Sequence, residues 1–355
     1  MPATRLALVV AAALLLGPGP IAGNNGVWIL ASNPVFAGGK HRGVCYAHSL
    51  RAGRGYGSPD SERALRHLAA LGVNWISITP FAFQRAPRDT ALLWSPDRFG
   101  ETDDRLREAT AQAHALEIRV MLKPHVWLPP PHWPGSIEHD SESDCRAWFE
   151  SYREFILHYA ALAENARMDA LCVGNELEKT TAREADWREI IGSVRRVYHG
   201  PVTYGATTSE ADAIKFWDAL DFIGVSAYYP LVEAPSPSRA DLAAAWRPHR
   251  ARLVALAVRW RRPVVFTEIG YPSADFGAWK QWEVPRDARV NRELQAAAYE
   301  AFFDDVWPEP WFGGAYWWKW FSHPDAGEPE NQFEPKGKPA EGVLEKNYRK
   351  EARGG

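Results

Sequence analysis

Leu171-Cys172-Val173-Gly174-Asn175-Glu176-Leu177-Glu178 is a short apolar run that stops abruptly in an amide and two carboxylates. A continuous apolar run of this length reads as a strand buried in a parallel sheet. A core strand has no structural use for Asn-Glu at its tip, because an unpartnered buried carboxylate is costly. The structural alternative is a carboxylate that caps the next helix or pairs with an Arg. A second stretch of the same design, Val264-Val265-Phe266-Thr267-Glu268-Ile269-Gly270, tips the balance. Two apolar strands ending in Glu, several strand-helix units apart, point to two carboxylates facing each other across one pocket.

Outward from these two stretches, strand and helix signals alternate with regularity. Strands are expected at 43–47, 73–79, 118–125, 171–176, 202–206, 222–228, 264–268 and 314–320. Helices are expected at 61–71, 103–116, 143–165, 185–197, 209–217, 239–260 and 291–306, with a short helical pattern near 341–348. Thr102 is placed to cap the second of these helices, whose first turn carries Asp103 and Asp104 as the helix dipole prefers. Eight strands alternating with helices imply a single-domain α/β fold, the (β/α)8 TIM barrel. A doubly wound open sheet is the runner-up, but no glycine-rich dinucleotide turn follows the first strand.

The chain is divided as a signal peptide over 1–23, a Gly- and Asn-rich tether over 24–40, the barrel over 41–322 and a C-terminal tail over 323–355 that packs on the barrel or trails into solvent. Arg5 followed by the apolar run Leu6 to Leu16 matches a secretory h-region and is short of the ~20 residues that span a bilayer. Ala22 and Gly23 offer a cleavage point, so a secreted or periplasmic protein without a stable membrane span is expected. An uncleaved anchor is the alternative. The 355 residues carry a net charge of −3, which leaves no basic footprint for nucleic acid. Cys45, Cys145 and Cys172 show no paired metal spacing, so neither a disulfide, a metal site nor a cofactor is expected. Seventeen Trp residues serve a core, and also suit a site that stacks flat sugar faces. A monomer is the default expectation.

Barrel enzymes place their chemistry at the C-terminal ends of the strands. Those ends read Ala47-His48, Thr79-Pro80-Phe81, Lys123 to Trp127, Asn175-Glu176, Tyr228-Tyr229-Pro230, Glu268 and Trp317 to Trp320, polar and aromatic in nearly every case. Strand alternation then selects faces. Lys123, His125 and Trp127 point inward in the third strand, and Gly224, Ser226 and Tyr228 in the sixth. In the fourth, Gly174 and Glu176 point inward, which leaves Asn175 sideways unless the strand end curls. Two opposed carboxylates suit glycosidic bond cleavage, one protonating the leaving oxygen and the other attacking the anomeric carbon or activating water.

These residues resemble a known group. Asn-Glu ending the fourth strand and Glu ending the seventh is the pattern of clan A retaining glycoside hydrolases. Within that clan, Lys123-Pro124-His125, Gly174 to Glu178, Tyr228-Tyr229-Pro230-Leu231, Thr267 to Tyr271 and Trp317 to Trp320 resemble glycoside hydrolase family 113, and the likeness extends into Lys336 to Ala340. The resemblance implies a secreted β-mannanase acting on β-1,4-linked mannan with retention. It implies Glu176 as acid/base, Glu268 as nucleophile, Asn175 as a ligand of the sugar 2-hydroxyl and Tyr228 as a phenol bonded to the nucleophile. Trp318 corresponds to the Trp under the sugar, with Trp317 as the off-by-one choice. The clan's usual Arg has no match after Thr79-Pro80, so Lys123 or His125 stands in for it.

Each choice keeps a plainer reading. Glu178 pairs with a helix end or is the acid itself; Lys123 is a structural partner of a Glu; His125 is a satisfied core histidine; Trp127 only packs the proline-rich loop. A retaining enzyme on another β-linked glycan such as glucan, or a non-catalytic carbohydrate-binding barrel, are the competing functions.

Overall fold

The computed structural model describes Leu30 and residues 33–48, 54–97, 102–324 and 328–354. The expected signal segment, and the tether up to residue 29, lie outside the described residues. Among these residues ten strands follow in order: β1 His41–Ala47, β2 Trp75–Ile78, β3 Phe81–Phe83, β4 Arg119–Leu122, β5 His125–Trp127, β6 Ala170–Asn175, β7 Val202–Thr207, β8 Ile223–Ser226, β9 Val264–Ile269 and β10 Phe312–Phe321. Eight of them close into a parallel barrel in the order β1-β10-β9-β8-β7-β6-β4-β2, while β3 and β5 form a separate two-stranded extension. The barrel is the TIM fold expected from the alternation.

Seven α-helices among the described residues surround it: α1 Pro59–Ala70, α2 Asp103–His114, α3 Glu142–Asn165, α4 Glu184–Arg195, α5 Arg239–Trp260, α6 Arg292–Asp305 and α7 Pro339–Gly354. Their starts are written locally. Ser58, Thr102, Ser141, Ser238 and Asn291 each accept a hydrogen bond from a first-turn N–H, and Ser238 completes a reciprocal capping box with Asp241.

Two expectations are corrected. The third strand does not run unbroken from 118 to 125: it is split at Lys123-Pro124, where Pro124 has no N–H to donate, into β4 in the barrel and β5 on β3. No α-helix forms at 209–217; only a 3-10 turn at Trp217–Ala219 follows. Of the two courses open to the C-terminal segment, packing on the barrel is the one the described residues take. In α7, Ala340, Leu344 and Tyr348 are fully buried, and the Tyr348 hydroxyl donates to the Gly43 carbonyl at 3.1 Å, so this helix closes the barrel's outer ring.

Two layers of core result. Leu, Val, Ile and aromatic side chains pack between strands and helices, and a smaller cluster including Phe36, Cys45, Trp75, Met121, Cys172, Phe222 and Tyr316 fills the barrel itself. Its floor is aromatic: His41 stacks on Trp75 at 4.0 Å and on Phe36 at 4.9 Å, so the end of the expected tether seals the bottom. Burial, helped by Arg119, lowers the His41 pKa to about 3 and keeps it neutral. With the floor closed, polar chemistry is confined to the opposite mouth.

Candidate active site

At the mouth, β9 carries Glu268 inward, 5 % exposed. Its Oε1 accepts from Lys123 Nζ at 2.6 Å and its Oε2 from the Tyr228 hydroxyl at 2.9 Å. Lys123 is fully buried and also donates to the Thr267 carbonyl at 3.2 Å. Burial by itself would lower the lysine pKa, but Glu268 overrides it and holds the ammonium above the ordinary lysine value. His125 Nε2 lies 3.8 Å from Glu268 Oε1. Burial, then Lys123 and His48, push its pKa well down, so the imidazole is neutral. The two oxygens of Glu268 are therefore held by one cation and one phenol.

Glu176 sits differently. The pairing of β6 with β7 shifts between Cys172 and Asn175, the signature of a bulge, and this resets the side-chain alternation. Gly174 turns outward, where a Cβ would meet the Trp187 and Tyr204 rings, which corrects its expected inward position. Asn175 turns inward, so the gap left by strict alternation closes. Its Oδ1 is buried without a protein partner and occupies the space a Cβ on Gly205 would need. Glu176 then adopts a left-handed backbone, φ 55°. Burial and the Glu268 carboxylate raise its pKa to about 7, partly offset by the Ser226 hydroxyl and Lys123.

Glu178, the rival acid, is held elsewhere: its Oε2 accepts from Thr207 Oγ1 at 3.0 Å and Ser209 Oγ at 2.8 Å. Trp127 is 44 % exposed and meets Phe83 edge-on at 5.8 Å on the β3–β5 extension. Trp318 is half-buried against the cluster inside the barrel. Trp317 does not join the site: it is fully buried in the outer layer, stacked on Tyr299 at 3.6 Å, because neighbouring strand residues face opposite sides. It has no surface left for a sugar. Among the described residues, no group of three His, Cys, Asp or Glu side chains converges to hold a metal, and no helix is long and apolar enough to cross a membrane.

The model of Glycoside Hydrolase Family 113 matches residues 44–338, most of the chain. The chain belongs to glycoside hydrolase family 113. It is similar to the family 113 β-mannanase AaManA from Alicyclobacillus acidocaldarius, solved in complex with ManMIm, at 30 % identity and TM-score 0.79, over 89 % of this chain and 99 % of that one. A family 113 β-1,4-mannanase complex matches at 27 % identity and TM-score 0.75, over 87 % and 99 %. A family 5 mannosidase from Rhizomucor miehei, at 12 % identity and TM-score 0.62, shares the fold. No curated protein sequence matches the chain. This family 113 protein is thus a glycoside hydrolase, with a glycan as substrate.

One carboxyl at the mouth was absent from the sequence reading. Glu210, 2 % exposed, lies beyond β7; its Oε1 accepts from the Thr207 N–H at 2.7 Å, and its own N–H donates to Thr207 Oγ1 at 3.2 Å. Thr207-x-x-Glu210 is a capping-box pattern, and this is its reciprocal geometry with no α-helix behind it. The pattern was visible; its use without a helix was not.

Proposed function

We propose that the protein hydrolyses β-1,4-linked mannan with retention of configuration, Glu176 acting as acid/base and Glu268 as nucleophile. The observation that carries this is the contrast between the carboxyls. Glu176 is pushed up to about 7 and so holds a proton to donate near neutral pH, while Glu268 receives a cation and a phenol at its two oxygens. In the first step the Glu268 carboxylate attacks the anomeric carbon as Glu176 protonates the departing oxygen; in the second, Glu176 takes a proton from water, which displaces Glu268. Asn175 Oδ1, without a protein partner, suits the 2-hydroxyl, and Trp318 the sugar face. His125 and Trp127 line the same mouth as further sugar contacts. Lys123 takes the place of the clan's missing Arg beside Glu268. The mannan assignment draws on the β-mannanases among its structural neighbours.

A reducing-sugar screen over mannan, glucomannan, cellulose and xylan tests the substrate. Release from mannan and glucomannan is expected; release from cellulose alone overturns mannan in favour of glucan. Export, with a mature chain starting near Asn24, rests on the apolar run after Arg5. N-terminal sequencing of the chain from its host checks it, and full-length chain in the soluble cytoplasm counts against it.

A further inference from the structure

The turn that carries Glu176 is anchored at three consecutive residues to one neighbouring segment. The Glu176 N–H donates to the Gly205 carbonyl at 2.8 Å, and the Leu177 N–H donates to the Tyr204 hydroxyl at 2.8 Å. The Glu178 carboxylate accepts from Thr207 and Ser209. All the partners lie on β7 or just after it. Tyr204 is fully buried and packs edge-on against Trp187 at 5.2 Å. Its hydroxyl faces both Glu210 oxygens, at 3.5 and 3.4 Å, and Glu210 is fastened in turn to the Thr207 N–H.

This frame has a reason to exist. A left-handed backbone is unfavourable for a side-chain-bearing residue, so Glu176 holds φ 55° only while its surroundings impose it. The Leu177 amide sits on the peptide directly after Glu176, and fixing that peptide fixes the direction of the Glu176 side chain.

We infer that Tyr204 and Glu210 are a positioning pair, which holds the Glu176 carboxyl at the cleavage point through the Leu177 amide. The inference rests on the acid/base role proposed for Glu176. Neither residue touches the reacting atoms. Burial, only partly offset by the Thr207 N–H, and the charges of Glu176 and Glu178 raise the Glu210 carboxyl to about 8. A neutral carboxyl has the shape and bonding of an amide, so glutamine is its close substitute.

The test compares polymer turnover, which needs a proton on the leaving oxygen, with the burst of aryl alcohol from an activated aryl glycoside, which does not. Tyr204→Phe keeps the packed ring and removes the acceptor of the Leu177 N–H. It is expected to lower kcat on polymer by roughly 10- to 100-fold, with KM little changed and the aryl burst within about threefold. Glu210→Leu is expected to show the same split, and Glu210→Gln to restore polymer turnover. Equal losses on both substrates in Tyr204→Phe, or a Glu210→Gln as impaired on polymer as Glu210→Leu, overturn the inference. Glu176→Ala is the reference. If it shows the split and the other variants do not, only the positioning pair fails; if it shows none, the acid assignment fails and the inference falls with it.

Discussion

The ends of β6 and β9 begin as the same sequence idea, an apolar strand with Glu at its tip, and finish as two different environments. Glu268 also follows a slip in pairing, between Phe266 and Glu268 opposite β8, but it stays inside β9 and meets Lys123 and Tyr228, both delivered by other strand ends. Glu176 follows a bulge, stands on a left-handed backbone and has another carboxylate as a main electrostatic neighbour. One site is compensated and the other deprived. The difference teaches that a glutamate's role is set by what its neighbours contribute to either protonation state.

The comparison breaks most sharply at Glu268. Glu268→Ala removes the attacking atom, so activity on polymer and on an activated aryl glycoside is expected to fall together, on the order of 10⁶-fold. Any product formed with added azide should have inverted configuration by NMR. Glu176→Ala should lose roughly 10²–10⁴-fold on polymer while still forming the glycosyl-enzyme from the aryl glycoside. Azide attack on that intermediate should give the retained product. Exchanged stereochemistry between the two variants would reverse the assignments.

A smaller effect is expected from Tyr228→Phe, which removes one hydrogen bond to the Glu268 carboxylate. Its cost is about 1.5–3 kcal/mol, a roughly 10- to 100-fold loss in kcat/KM. Because the bond serves the nucleophile, the loss should be the same with good and poor leaving groups, measured across a series of aryl glycosides. A loss confined to poor leaving groups would mean that Tyr228 serves the acid instead.

The smallest effect is on stability. Folding raises the Glu176 carboxyl from its ordinary 4.5 to about 7. Between those values the folded chain holds a proton that the unfolded chain has released, so stability falls as pH rises through this window. Glu176→Gln removes that dependence. Its Tm should match the parent near pH 4 and exceed it by a few degrees near pH 8. A Tm difference that is the same at both pH values would show that Glu176 is not deprived of its charge.

Much of the site was legible because strand alternation and apolar runs are local. Lys123 and His125 read as inward on opposite sides of Pro124; Lys123 bonds Glu268 and His125 lies 3.8 Å from it, although the strand that should have joined them is broken. Alternation failed at Gly174 and Asn175, where one extra residue in the pairing with β7 exchanges their faces. Glu210 was passed over because Thr207-x-x-Glu210 looks the same whether or not a helix follows.

By itself, then, the sequence determined the barrel, the strand-end Glu pair and the Thr102 cap, since each follows from periodicity or from hydrogen bonds between near neighbours. It left Trp317 and Trp318 as alternatives, and could not say whether residues 323–355 trail or pack. Only the tertiary structure decided those points: Trp317 belongs with Tyr299, and Tyr348 with Gly43 and Ala315. It also decided which carboxyl is brought beside a lysine and which beside another carboxyl. The physical reason is that burial and charge–charge proximity depend on which strands become neighbours, and barrel closure joins residues as far apart as Lys123 and Glu268.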